Sequence, residues 1–185
     1  NFLASGTSFV TPVLTDTTNF YVSAAYPGTE FGARLAPAGT STTTASNYGL
    51  VFTAVKPFTL YSVDVYATTA GDVIIQLQNS AGTAMLTDTF AVIAGGATTA
   101  QTLPLNFAIP AGTDMRLIAK SSPSMVRESA LGGFPYLLGA NGQITSGYLS
   151  GTSQTYYFFY NWVMSGDCES ARTAVAANIK TADRK

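Results

Sequence analysis

The residues able to do chemistry in this chain are few, and the missing types are as informative as those present. There is no His, a single Cys, and ten acids against nine bases in 185 residues. Without imidazole there is no Ser–His or Cys–His nucleophile pair, no histidine general base and no His-ligated zinc. The acids are spread singly, and only Asp167 and Glu169 come close together. No Asp-x-Asp-x-Asp run supplies the ordered oxygens of a calcium loop, so a turn with a solvated charge pair accounts for Asp167 and Glu169 better than a metal site. No pair of carboxylates is singled out as a glycosidase couple. The expectation is a non-enzymatic chain with no catalytic residue, no metal and no cofactor.

The densest feature is aromatic: Tyr156-Tyr157-Phe158-Phe159-Tyr160-Asn161-Trp162. In one strand, Tyr156, Phe158, Tyr160 and Trp162 would face one way and Tyr157, Phe159 and Asn161 the other. Flat rings with polar edges suit the faces of sugars. Aromatics at this density, however, belong to a strand buried on both faces, which places Phe158, Tyr160 and Trp162 in the core. Tyr136 and Tyr148 stand in loop-rich surroundings and are the candidates for ligand binding, with a surface glycan as the ligand. Arg127 and Glu128 read as charges on an edge strand that discourage unwanted pairing.

The elements that must position these residues are strands. Charged residues make up 10% of the chain, against roughly 25% in an average soluble domain. Thr, Ser, Asn, Gln and Gly take their place. A net charge of −1 gives no basic face to neutralise phosphates, which excludes nucleic acid as a partner. The longest apolar stretches fall far short of the ~20 residues that cross a bilayer, so no membrane insertion is expected. Residues 1–7 lack the basic and apolar regions of a signal peptide. The Thr/Ser/Gly-rich, low-charge composition points to an extracellular or cell-surface setting.

Runs rich in β-branched and aromatic residues recur at short spacing. Residues 8–14 and 19–25 read as a hairpin across Thr15-Asp16-Thr17-Thr18, followed by a Thr/Ser/Gly/Pro-rich loop or linker over 37–47. Further strands are expected over 48–55, 58–67, 72–79, 84–92, 101–109, 114–120, 134–138, 143–149, 156–164 and 173–179. A short helix over 170–179 is the competing reading of the last segment. Alternation is clearest where Val73, Ile75 and Leu77 oppose Gln76 and Gln78, and where Met115, Leu117 and Ala119 oppose Arg116, Ile118 and Lys120. A period of two sets one face on a core and the other in water. The fold class is all-β: an antiparallel two-sheet sandwich, jelly-roll-like, with an Ig-like N-terminal strand segment. The expected division is a strand segment or interaction arm over 1–36, a linker over 37–47, the sandwich over 48–166, and a connecting strand and tail over 167–185.

Several phrases, in order, carry a resemblance. Thr11-Pro12-Val13-Leu14-Thr15-Asp16-Thr17-Thr18 with Phe20-Tyr21-Val22 is similar to the closing strands of Ig-like repeats in large surface proteins of Bacteroidota. Phe58-Thr59-Leu60-Tyr61, Gln76-Leu77-Gln78-Asn79, Ile109-Pro110-Ala111-Gly112 and Tyr157 to Trp162 resemble the β-sandwich module that alternates with those repeats. Cys168-Glu169-Ser170-Ala171-Arg172 resembles the phrase leading into the next module. The resemblance implies secretion, often by the type IX route, and no catalytic residues. It also implies that Cys168 bridges to a Cys in an adjoining repeat; from the residues alone, one Cys is a free thiol or an intermolecular bridge. The Ig-like repeat lacks its opening strands here, so its strands need partners.

The resulting expectation is a structural or adhesive module of a cell-surface adhesin, or of a head-to-tail filament built by strand exchange. The assembly residues would be Phe9, Val10, Val13, Phe20, Tyr21, Val22 and Cys168, and the partners neighbouring copies or adjoining Ig-like domains. The alternative is a carbohydrate-binding module accessory to a secreted polysaccharide-degrading enzyme.

Overall fold

A computed structural model describes residues 6, 8–23, 25–129, 133–169 and 172–178, without the side chains of 25–27 and 167–169. These residues form strands β1 (Thr18–Val22), β2 (Ala25–Gly32), β3 (Thr42–Thr43), β4 (Ser46–Ala54), β5 (Phe58–Val65), β6 (Gly71–Gln78), β7 (Ala84–Val92), β8 (Gln101–Leu103) and β9 (Phe107–Ile109). They continue with β10 (Gly112–Ser121), β11 (Met125–Glu128), β12 (Tyr136–Leu137), β13 (Gly142–Leu149), β14 (Thr152–Ser153), β15 (Tyr156–Tyr157), β16 (Tyr160–Glu169) and β17 (Thr173–Ala177). The chain divides into two compact units, Pro27–Asp167 and, from its two ends, Asn1–Tyr26 with Cys168–Lys185.

The larger unit is an all-β sandwich. One sheet runs β12-β13-β4-β10-β6-β7, with β14 also on β13, and the other runs β2-β16-β5-β8, with β9 also on β5. The ladders β13–β4, β4–β10, β10–β6, β6–β7, β16–β5 and β5–β8 are antiparallel. The chain passes between the sheets from β4 to β5, β5 to β6, β7 to β8 and β9 to β10, as it does in jelly rolls. The inner faces supply Leu50, Phe52, Ile75, Leu77 and Leu117 from one sheet and Leu60, Val63 and Trp162 from the other, all fully buried. Phe52 and Trp162 meet edge-on with ring centroids 5.4 Å apart across the core. A third sheet, β15-β11-β3, completes the unit.

Three departures from strict alternation have local causes. Pro104 cannot donate to a ladder and Asn106 takes a φ of 51°, so the run over 101–109 splits into β8 and β9. Phe158 and Asn161 have φ of 63° and 43°, which breaks the aromatic run into β15 and β16, lying in different sheets. Tyr156 through Tyr160 are therefore all buried, by a turn between sheets rather than by one strand with two covered faces. In β13 the register against β4 shifts between Ile144 and Ser146. This bulge leaves Ile144 in the core and turns Ser146 and Tyr148 to the opposite face.

Residues 37–47 are fastened to the sandwich rather than acting as a free linker. β3 lies inside them and pairs with β11, and the Ala38 N–H donates to Glu128 Oε1 at 2.8 Å.

The smaller unit corrects the expected hairpin. Residues 8–14 form no strand; Pro12, in their middle, removes a backbone donor. β1 pairs instead with β17, antiparallel, from Thr18↔Ala177 to Val22↔Thr173, which also decides the last segment for strand over helix.

Candidate functional site

The expected assembly residues gather on the smaller unit. Phe20 pairs with Val175 in the β1–β17 ladder, and the Phe9 ring packs on Phe20 with centroids 5.6 Å apart. Val10, Val13 and Tyr21 are 90%, 98% and 67% exposed, and Phe9, Val22 and Val175 are also largely open to solvent. Two strands cannot bury both of their faces, so this unit leaves apolar side chains in water. Cys168 lies in β16; its side chain and those of Asp167 and Glu169 fall outside the described residues, as do residues 1–5.

Tyr136 is half-exposed and packs on neighbouring rings. It meets Tyr156 edge-on at 5.3 Å and Phe134 at 5.1 Å, and the Arg34 guanidinium carbon lies 5.7 Å from its ring centroid. Beneath it is a polar cluster absent from the sequence-based reading. Arg34 Nε and Nη2 donate to Glu128 Oε2 and Oε1 at 2.8 and 3.1 Å. The Tyr160 hydroxyl donates to Oε2 at 3.3 Å. Glu128, expected as an edge charge, is in fact buried in β11, the middle strand of its sheet. With Arg34, the Ala38 N–H and Tyr160 on its two oxygens, it is a fastening point for the β2–β3 connection. Sequence offers no signal for it, because the Arg34–Glu128 pairing spans 94 residues.

Burial works against the charge on Arg34, yet Tyr136 and Glu128 outweigh it and raise its pKa. Burial pushes the Tyr156 and Tyr160 phenols far above their ordinary value, with the Glu128 charge adding to the effect at Tyr160. Both phenols therefore hold their protons in the folded state at pH values where unfolded Tyr, with a pKa of about 10, has lost them. Folded protein then binds more protons than unfolded, and stability must fall as pH rises above about 10. Spectrophotometric titration at 295 nm should show at least two of the ten tyrosines ionising only together with the loss of circular dichroism. Smooth ionisation of all ten with the fold intact would contradict this.

Tyr148 sits elsewhere, on the outer face of the larger sheet. The Arg116 guanidinium carbon lies 4.6 Å from its ring centroid, and Arg116 Nη1 donates to its hydroxyl at 3.4 Å. The two tyrosines expected to share a role thus occupy separate places, both half-exposed, one beside Arg34 and one beside Arg116. No group of Cys, Asp and Glu side chains placed to hold a metal occurs among the described residues, and no helix there is long and apolar enough to cross a membrane. Comparison with family models, curated proteins and solved structures found no match to this chain.

Proposed function

We propose that the chain is a non-catalytic extracellular structural or adhesive module of the kind its phrases resemble, whose smaller unit engages a neighbouring copy or an adjoining Ig-like domain. The observation that carries this reading is exposed apolar surface on and beside a two-stranded sheet: Tyr21, Val22 and Val175 of the ladder and Val10 and Val13 of the segment before it stand in water, and none of the described residues of 8–23 and 172–178 is buried. Surfaces of this kind mark interaction sites. The composition of the ladder supports exchange between chains. β1 and β17 lie at opposite ends of the sequence, so β1 of one copy can pair with β17 of the next through the same register and the same hydrogen bonds. Such a contact is head-to-tail and does not close, which grows a filament.

Sedimentation velocity across a concentration series tests the reading, with negative-stain microscopy to identify fibres. The parent should associate, and Val10→Asp with Val13→Asp should abolish association while leaving the thermal transition of the sandwich unchanged. A parent that stays monomeric at high concentration, or a double variant that associates as before, refutes the proposal.

A further inference from the structure

We propose that the outer face of the larger sheet is a binding site for a carboxylate-bearing glycan, a uronic-acid chain, recognised by Arg116, Tyr148, Gln76 and Gln78. Cross-strand register places these residues together on one face. Ser146 pairs with Val51, Val51 with Arg116 and Arg116 with Gln78. The next row runs from Tyr148 to Gly49, Ile118 and Gln76. The face points away from the core formed by Leu50, Leu77 and Leu117, and Tyr148 joins it only because of the β13 bulge.

Three features make this face a receptor rather than an ordinary solvated surface. First, its charge is unanswered. Arg116 is half-buried and has no carboxylate partner among the described residues, although it is held in place. Its Nη2 donates to the Ser80 carbonyl at 2.8 Å, and a side chain at Gly82 would reach within 2.8 Å of Nη1. A fixed guanidinium retains further N–H donors in a planar fork, which matches a carboxylate. Secondly, the polar groups beside it are aligned. Gln78 Nε2 donates to Gln76 Oε1 at 3.0 Å, which orients both amides and leaves the Gln76 NH2 and the Gln78 carbonyl to face hydroxyls. The buried Ser146 Oγ, on the same face, has no hydrogen-bond partner, which is costly unless a ligand or a rearrangement satisfies it. Thirdly, the polar groups border a closed apolar floor. Gly49 and Ile118, in the row between Tyr148 and Gln76, are both buried, and no side chain fits at Gly49, because an added Cβ would stand 2.0 Å from the Leu117 carbonyl oxygen.

A carboxylate alone would use Arg116 only. The paired amides and the phenol edge add donors and acceptors spaced along two strands, which suits a ring bearing several hydroxyls beside its carboxylate better than an acidic peptide. This site is separate from the smaller unit and does not depend on the assembly reading.

Isothermal titration of the full chain with oligogalacturonate, with cello-oligosaccharide of equal length and with oligoglutamate distinguishes the sources. Oligogalacturonate should bind, weakening as salt rises, and the other two should bind at least about tenfold more weakly. Arg116→Gln and Tyr148→Ala should each weaken oligogalacturonate binding about tenfold or more while the thermal transition is retained. The double variant Val10→Asp/Val13→Asp should bind as the parent does, which separates this proposal from the assembly reading. Absence of oligogalacturonate binding at millimolar concentration, equal binding of the neutral chain or of oligoglutamate, or binding indifferent to Arg116→Gln and Tyr148→Ala overturns it. If either single variant unfolds, Gln76→Ala, at a half-exposed position, serves in its place with the same expected loss.

Discussion

Trp162→Ala should lower the stability of the sandwich by about 3–5 kcal/mol, the cost of deleting a large aromatic from a packed core and leaving a cavity. Trp162 is fully buried. It packs edge-on against Phe52 from the facing sheet, and its Nε1–H donates to the Phe159 carbonyl at 3.0 Å. The substitution thus removes an inter-sheet contact and one of two hydrogen bonds to the Phe159 carbonyl, which keeps the Tyr156 hydroxyl at 2.8 Å. Trp162→Phe would keep part of the packing and lose the hydrogen bond, so its cost should be smaller. Because the chain has one Trp, urea unfolding must be followed by circular dichroism rather than tryptophan fluorescence. A Trp162→Ala protein within about 1 kcal/mol of the parent would show that this part of the core collapses freely around the loss.

Glu128→Ala should cost about 3 kcal/mol, at the lower end of the range for breaking a buried ion pair by removing one partner. The lower end applies because the Arg34 side chain is 20% exposed and can reach water, whereas that of Glu128 is only 3% exposed. The loss also leaves the Ala38 N–H and the Tyr160 hydroxyl without their acceptor. Pairing Glu128→Leu with Arg34→Met removes both charges together and should recover much of the stability, since an apolar pair carries no desolvation cost. A double-mutant cycle by urea unfolding measures the coupling; a cycle in which the two changes simply add would show that the carboxylate and guanidinium act independently.

How far these features are legible in the sequence differs by element. The core face of β6 and β10 could be read directly, because Val73, Ile75 and Leu77, and Met115, Leu117 and Ala119, keep their period of two against a single core, but the outer face could not, because Ile118 and Gln78, expected in water, are buried as well. The aromatic run could be read as core from its density, but not its path, because nothing in Tyr157-Phe158-Phe159 announces a positive φ at an aromatic residue. Tyr148 could be suspected of facing solvent, yet its partners could not be named. One inserted residue in β13 decides which face it occupies, and Arg116 reaches it from a strand 32 positions away. Glu128 was obscured for the same reason: a lone acid in a short strand looks solvated until a distant Arg is brought beside it. The pairing of 8–14 with 19–25 was suggested by proximity along the chain, and β17, from the far end, supplied the ladder instead.

The geometry of that ladder has a mechanical meaning. Antiparallel pairing puts Thr18, the first residue of β1, opposite Ala177, the last residue of β17. Tension applied to the two ends of the chain therefore enters at the same end of the ladder and opens it one rung at a time, from Thr18↔Ala177 toward Val22↔Thr173. Peeling in this way loads a few hydrogen bonds at once, whereas shear along a strand loads them all together. All of the sandwich lies on the chain between β1 and β17, so no force passes through it until the last rung has parted. Strung in series, such a unit would behave as a fuse that yields early, lengthens the molecule and spares the folded sandwich behind it.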